Sequence, residues 1–251
     1  MSEAFPRHVL CVLGLGLGLP EMERIAADFG GFVLDRECSE AGPDARMPTA
    51  FEAGLAAASF TEADWAAVES HDSVGYLLSP PMARELAAGT SRRLLAATAA
   101  LLRAGAAAVK NESSGITHGR DRWLALADRA ADAKDEDLAA ALVAAWVKRP
   151  IFDGRVLYSC GMHLLGAPEV EVEVGAEPPT GDELLDLVAL LDTLAIYLLT
   201  DPRAEEIEDG EGFRLTGDSP RWLLRTGACD RYDEGDLFHN PYGRLRLTPA
   251  E

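Results

Sequence analysis

Short apolar runs and stretches of helical period alternate through the first 115 residues of the chain. Four apolar runs are bounded by glycine or polar turn residues, as buried strands are, and they cover residues 7–16, 31–37, 72–79 and 106–110. Two stretches with helical period lie between them, one opening at Pro20 and the other running from about Thr90 to Gly105. The pattern therefore predicts the order strand, helix, strand, insertion, strand, helix, strand.

That order is the order of a ferredoxin-like split βαβ sandwich. The insertion, residues 39–60, is rich in glycine, proline and alanine, so we expect little regular structure in it. Thr61 and Asp64 have the spacing of a capping box, which predicts that a short helix begins there. We expect all four strands in one sheet, with the helices near residues 20–30 and 90–104 on one of its faces.

The second half of the chain returns to strands after two helices, which are predicted at residues 120–133 and 135–147. Strands follow at residues 154–166 and 169–174, then a helix at 182–199 and several short strands. The predicted fold class is α+β: a ferredoxin-like split βαβ sandwich with an insertion, extended by a C-terminal β-rich lobe.

The pattern also predicts how the chain divides into domains. The expected parts are a ferredoxin-like lobe (1–115), a helical connection (116–150) and an α+β lobe with an acidic strand and a buried helix (151–251). One continuous domain fits the same pattern equally well.

The net charge limits the class of partner. The chain has 42 acidic and 23 basic residues, a formal net charge of −19. Such a field repels phosphate backbones and anionic membranes, so we expect neither nucleic acid nor a membrane as partner. It favours a basic protein partner, or it serves solubility alone.

The cysteines indicate the compartment. Cys11, Cys38, Cys160 and Cys229 lie far apart and form no C-x-x-C pair, so we expect free thiols in a reducing, cytoplasmic setting. The N-terminus lacks a basic segment followed by an apolar stretch and a cleavage site, so no signal peptide is expected.

Acidic residues are concentrated between Glu169 and Glu211. This stretch contains fourteen acidic residues and only one basic residue, Arg203. In this region, alternation along a strand places Glu169, Glu171 and Glu173 on one face and three valines, Val170, Val172 and Val174, on the other. We expect the valines to be buried and the glutamates to point to solvent. The glutamate face is then either a solvated surface or a binding surface for a basic partner.

Residues 110–123 form the most polar candidate site. Ser113, Ser114, His118 and Arg122 follow a predicted strand and precede a helix that carries Trp123, and ligands often bind at such a junction. Catalysis by Ser114 with His118 is an alternative, although the G-x-S-x-G pattern of a nucleophile elbow is absent. A hydrogen-bonded polar turn is the third interpretation.

Neither a cofactor nor a metal is expected. Gly14, Gly16 and Gly18 are spaced G-x-G-x-G, whereas dinucleotide binding needs G-x-G-x-x-G. Cys160 and His163 form a C-x-x-H pair on a predicted strand, where residues three apart point to opposite faces.

Two segments resemble an uncharacterised bacterial family. The segment "AALLRAGAAAVKNESSGITHGRDRWLAL" fits the family's [AG]-V-x-x-x-SSG-x-x-H pattern, and "LYSCGMHLLGAPEVEVEVG" fits its G-[ML]-x-x-[FL]-G-x-P-E-[IVL]-E-[IV] pattern. The resemblance covers roughly residues 70–215. It implies a cytoplasmic α+β protein and supplies no catalytic residues, but it draws attention to Ser113, Ser114, His118, Gly161, Gly166, Pro168 and Glu169.

Taken together, the sequence predicts a cytoplasmic bacterial protein that acts by binding, as an acidic interaction or immunity-type protein for a basic partner. The alternative is a hydrolase-like enzyme that uses the loop from Ser113 to Trp123. Nothing in the sequence indicates an oligomeric state.

Overall fold

The first sheet contains all four of the strands predicted for the N-terminal half. The computed structural model describes residues 5–55 and 59–250. The strands of this sheet are Val9–Gly14 (β1), Val33–Glu40 (β2), Ser73–Leu78 (β3), Ala106–Asn111 (β4) and Ile116–Thr117 (β5). They lie in the order β2-β3-β1-β4-β5, and every neighbouring pair is antiparallel. The prediction of one shared sheet is confirmed.

Helices cover both faces of this sheet. Leu19–Ala27 (α1) and Arg84–Ala104 (α4) pack on the face of Leu10 and Val12, as predicted. Met47–Glu52 (α2) and Glu62–Glu69 (α3) pack on the face of Cys11 and Leu13. Because side chains alternate along a strand, the unbroken apolar run of β1 serves two cores at once.

The helix α2 corrects one prediction. Residues 39–60 were expected to have little regular structure, but β2 continues to Glu40 and α2 follows it. Met47 and Phe51, one helical turn apart, are both buried against the second sheet face. The glycine and proline content of the segment conceals this short apolar pair. Residues 56–58, within the same predicted loop, lie outside the described residues.

The start of α3 and the end of α4 follow the sequence signals, whereas the start of α4 does not. At the start of α3, Thr61 Oγ1 accepts a hydrogen bond from the Asp64 amide, and the Asp64 carboxylate accepts one from the Thr61 amide, so the predicted capping box is confirmed. The helix α4 ends at Ala104, followed by Gly105, whose φ of 121° suits glycine, but it begins at Arg84, six residues before the predicted start.

The second half forms a six-stranded sheet and three helices. The helices are Arg120–Asp132 (α5), Asp135–Trp146 (α6) and Gly181–Thr200 (α7). The strands are Lys148–Phe152 (β6), Val156–Cys160 (β7), Glu169–Glu173 (β8), Gly212–Phe213 (β9), Trp222–Gly227 (β10) and Arg244–Pro249 (β11). Their order in the sheet is β6-β7-β8-β11-β10-β9, with β8 and β11 parallel and the other pairs antiparallel. The α+β class is confirmed, and the finer ferredoxin-like description stays a prediction.

One apolar core connects the two sheets. Its buried residues come from β1 and α4, from α5 and α6, and from β8 and β11. The ring centroids of Trp123 and Trp146, both fully buried members of this core, lie 5.2 Å apart, with His118 against Trp123 and His8 against Trp146. The predicted division into three parts stays a prediction, but this core shows that the helices at residues 116–150 pack against both halves.

Among residues 5–55 and 59–250, no helix is both long enough and apolar enough to cross a membrane.

Candidate functional site

The acidic strand β8 is buried on both faces. Val170 and Val172 are buried, as predicted, and Val174 is partly buried. The predicted solvent exposure of the glutamates is wrong for two of them: Glu171 is 1% exposed and Glu169 is also buried. Residues from the loop between β10 and β11 cover the glutamate face: Arg231 hydrogen-bonds to Glu171, and Asn240 hydrogen-bonds to Glu169.

Glu169 organises the turn that precedes its own strand. Its carboxylate accepts hydrogen bonds from Ser159 Oγ (2.6 Å), the Gly161 amide (3.0 Å), Asn240 Nδ2 (3.0 Å) and His163 Nδ1 (3.1 Å). Burial acts to raise the pKa of Glu169, but the hydrogen bonds from His163, Ser159 and Gly161 outweigh it, so the pKa lies below its usual value. The carboxylate is therefore held ionised inside the protein.

The Glu171 carboxylate forms salt bridges with three arginines and balances part of their positive charge. Its carboxylate lies 2.7 Å from Arg246, 3.1 Å from Arg231 Nε and 3.9 Å from Arg244 Nη1. Glu173, at the strand's end, is partly exposed and pairs with Arg155 at 2.6 Å. The row of glutamates is thus paired within the chain, and its predicted role in binding a partner stays a prediction.

The predicted strand at residues 154–166 breaks after Cys160. Gly161 has a φ of 126°, and a 3-10 turn, Met162–Leu165, follows it. A Cβ at Gly161 would lie 2.5 Å from the Trp146 carbonyl oxygen and 3.0 Å from Ser114 Cβ. The expectation that Cys160 and His163 share a strand is wrong. The described residues hold no group of three or more His, Cys, Asp or Glu side chains placed to bind a metal.

The polar segment at residues 113–118 lies inside the protein rather than on a rim. Ser113, Ser114 and His118 are all buried, whereas Arg122 is exposed and Trp123 is buried on α5. Ser113 Oγ accepts a hydrogen bond from the Val9 amide (3.0 Å) and donates one to the Arg7 carbonyl oxygen (2.7 Å). Ser113 therefore holds the turn after β4 against β1. Binding by this segment stays a prediction.

A hydrogen-bond network joins the two segments that carry the family resemblance. Asn111 accepts from the Ser113 amide (2.9 Å) and donates to His8 Nδ1 (2.8 Å). His8 Nε2 donates to Ser91 Oγ (2.8 Å), which donates to the Leu164 carbonyl oxygen (2.7 Å). Because Ser91 gives its one hydrogen to Leu164, His8 is the neutral tautomer with a hydrogen on Nε2. Burial is the main cause that lowers the pKa of His8 to about 3.

Unpartnered polar atoms lie in the same two segments. Within the described residues, four buried side-chain atoms have no hydrogen-bond partner, and three of them are Ser114 Oγ, His118 Nδ1 and His163 Nε2. His118 Nε2 donates to the Ala145 carbonyl oxygen (3.2 Å), so its Nδ1 carries a lone pair. The fourth atom, Arg244 Nε, belongs to the arginine group at Glu171.

The first sheet carries a separate acidic cleft of about 480 Å³. It opens on the face of the first sheet that α2 and α3 partly cover. Val9, Val74 and Tyr76 are among its lining residues. Five carboxylates line it, against one cation, Arg46; they belong to Asp35, Glu37, Glu40, Asp44 and Glu112. Asp44 pairs with Arg46 (2.6 Å), and Glu112 pairs with Lys110 (2.8 Å). The sequence pattern does not predict this cleft, although three acidic residues lie close together on β2.

Comparison with protein-family models, curated proteins and solved structures finds no match to the chain. The resemblance to the bacterial family therefore stays a prediction, and function has to be argued from the geometry.

Proposed function

We propose that this protein binds the cationic side chains of a basic partner in the acidic cleft of its first sheet. The observation that carries the proposal is the charge of the lining: five carboxylates and one guanidinium, a local net charge of −4. Asp35, Glu37 and Glu40 form no salt bridge within the part of the chain that the structure describes. A lysine or arginine entering the cleft would supply their missing counter-charge.

The shape of the cleft suits a long cationic side chain. Val9, Tyr76 and the exposed Leu237 line the cleft and offer apolar surface to the methylene stem of such a side chain. The strand β2 forms the edge of its sheet, so the backbone of a partner can approach the rim formed by Glu37 and Glu40.

The electrostatic state of neighbouring groups supports a negative potential in the cleft. Burial raises the pKa of the Cys11 thiol to about 12, and Glu112 adds to the effect. Burial also raises the pKa of Tyr76, and nearby Cys11, Glu112 and Asp44 raise it further. Glu112 and Asp44 contribute to raising the pKa of both groups, as a negative potential in the cleft would.

The proposed setting is the reducing cytoplasm, and the proposed partner is a protein. All four cysteines are free, and Cys11 and Cys160 are buried in apolar surroundings. A chain with a net charge of −19 attracts basic proteins over long range and repels nucleic acid and anionic lipid. The role of an immunity-type protein, which covers a basic partner, is one form of this proposal.

A charge-matched pair of variants tests the cleft. Binding of an arginine-rich peptide is measured by calorimetry for the double variant Glu37→Gln/Glu40→Gln and for the control Glu205→Gln/Glu206→Gln. Both double variants remove two negative charges from exposed positions, so they change the long-range field equally. We expect the cleft variant to lose about tenfold in affinity or more, equivalent to about 1.4 kcal/mol, while the control retains most of it. Equal losses in both variants would show that binding follows net charge alone and would reject the cleft.

A further inference from the structure

An exposed leucine lines the acidic cleft together with its carboxylates. Leu237 is 45% exposed and lies on the loop between β10 and β11, whereas the carboxylates of the cleft come from the first half of the chain. Val9 and Tyr76, both partly exposed, line the same cleft. These three side chains give the lining an apolar part among its negative charges.

The loop that carries Leu237 is anchored by contacts of its other residues. The ring of the next residue, Phe238, packs against the Tyr232 ring with the centroids 5.3 Å apart. Asn240 is buried and donates a hydrogen bond to the Glu169 carboxylate at 3.0 Å. Leu237 is therefore exposed at a place that the fold determines. A partner that covers it does not have to order the loop first, which lowers the entropic cost of binding.

Carboxylates accompany this apolar part both in the cleft and along the loop. Six of them form no salt bridge within residues 5–55 and 59–250, and they belong to Asp35, Glu37, Glu40, Asp233, Glu234 and Asp236. The last three are exposed and come shortly before Leu237 in the chain. Any segment that covers Leu237 therefore binds in a negative field, and charge complementarity requires that it carry basic residues.

We propose that the occupant of the cleft is an amphipathic basic segment of a partner protein, with a large apolar side chain that packs on Leu237 between cationic side chains that pair with the carboxylates. This inference rests on the proposed function and adds a second requirement to it. The apolar area of Leu237 adds to affinity only when the occupant removes it from water, and an uncharged hydrocarbon side chain does so without desolvating a charge. The arrangement is that of an interface with an apolar centre and a polar rim.

Two peptides of equal charge test the apolar requirement. One consists of three repeats of arginine-arginine-leucine and the other of three repeats of arginine-arginine-serine, and calorimetry measures the binding of each to the full chain at one ionic strength. We expect the wild-type protein to bind the leucine peptide about tenfold more tightly, equivalent to about 1.4 kcal/mol. In the Leu237→Ser variant, the ratio of the two affinities should fall to about twofold or less. Contacts of Leu237 with the arginine stems are common to both peptides and cancel in this ratio.

Leu185→Ser is the matched control. Leu185 is 67% exposed on α7 and is not among the residues that line the cleft. The control removes an exposed leucine from another surface, so the ratio of affinities should stay at about tenfold. Both substitutions are at exposed positions, and thermal unfolding checks that each variant is folded.

The outcomes distinguish a failure of this inference from a failure of the proposed function. If the wild-type protein binds both peptides equally and Glu37→Gln/Glu40→Gln weakens both, the cleft binds cations without an apolar requirement, and the inference is overturned alone. A leucine preference that survives in Leu237→Ser would place the apolar contact elsewhere and would also overturn it. If the wild-type protein binds neither peptide, the proposed function fails and the inference fails with it.

Discussion

At the scale of single residues, the most informative positions are the two glutamates of β8 that lie inside the protein. Glu169 and Glu171 alternate with valines, and the sequence pattern alone indicates a strand with one solvent-exposed face and one buried face. The structure pairs each carboxylate with donors brought by distant parts of the chain, above all Asn240 for Glu169 and the arginines for Glu171. Such partners are decided by tertiary structure, so a local pattern cannot identify them.

The Glu171→Gln variant should lose about 3 kcal/mol of stability, because it leaves three partly buried guanidinium groups without their shared carboxylate. Glu173→Gln is the matched control on the same strand face. Its partner, Arg155, is largely exposed, so we expect a loss below about 1 kcal/mol. Urea unfolding at pH 7 measures both free energies. Small and equal losses would mean that Glu171 is no more important than a surface charge.

At the scale of elements, the sequence predicted best where a periodic pattern and its end signals agreed. The four strands of the first sheet, the capping box of α3 and the helix α7 all rest on local signals, and each is found close to its predicted place. The failures share one cause. The helix α2 and the turn after Cys160 exist because of long-range packing, which places Phe51 on a sheet face and brings Ser114 against Gly161.

For the candidate sites too, the sequence indicated local features but not the long-range contacts. The sequence drew attention to the polar segment at Ser113, Ser114 and His118, but it did not indicate that these three side chains are buried. It did not indicate that His163, 49 positions beyond Ser114, lies on the turn that Ser114 contacts. Nor did it indicate that Asp44 and Glu112 share a cleft with the acids of β2.

Gly161 offers a test of the turn that joins these elements. Gly161→Ala should destabilise the protein by about 3 kcal/mol or more, since a Cβ there meets the Trp146 carbonyl oxygen at 2.5 Å in addition to the strain of a φ of 126°. Gly154→Ala is the matched control: its φ of 98° is similarly unfavourable, but a Cβ there has nothing within 4 Å. We expect the control to lose only about 1–2 kcal/mol. Thermal or urea unfolding gives both values, and equal losses would contradict the close approach of the two halves.

At the scale of the whole molecule, two neutral histidines in the shared core connect stability to pH. Burial lowers the pKa of His8 to about 3 and that of His118 to about 4, from an ordinary value of 6.5. His163 lies near His8, and Arg122 and Arg149 lie near His118, and these groups lower the two pKa values further. Between pH 6.5 and about 4, the unfolded chain therefore binds protons at these two positions that the folded chain does not bind.

The sign of the effect follows from that difference in bound protons. Stability is fully present above pH 6.5 and falls as the pH is lowered, because protons are taken up by the unfolded state. Each histidine should contribute a loss of about 2 kcal/mol between pH 7 and pH 5, at about 1.4 kcal/mol per pH unit below 6.5. The lowered pKa values of Glu169 and Asp44 act below this range, so the window from pH 7 to pH 5 reports mainly on the histidines.

Urea unfolding at pH 7, 6 and 5 measures this slope, and the His118→Gln variant separates the two contributions. A glutamine amide can still donate to the Ala145 carbonyl oxygen, so the variant should fold while losing about half of the pH dependence. A stability that is constant from pH 7 to pH 5 in the wild-type protein would mean that both imidazoles can take up a proton in the folded state. The two rings would then have access to water, and the core that joins the two sheets through Trp123 and Trp146 would be open rather than closed.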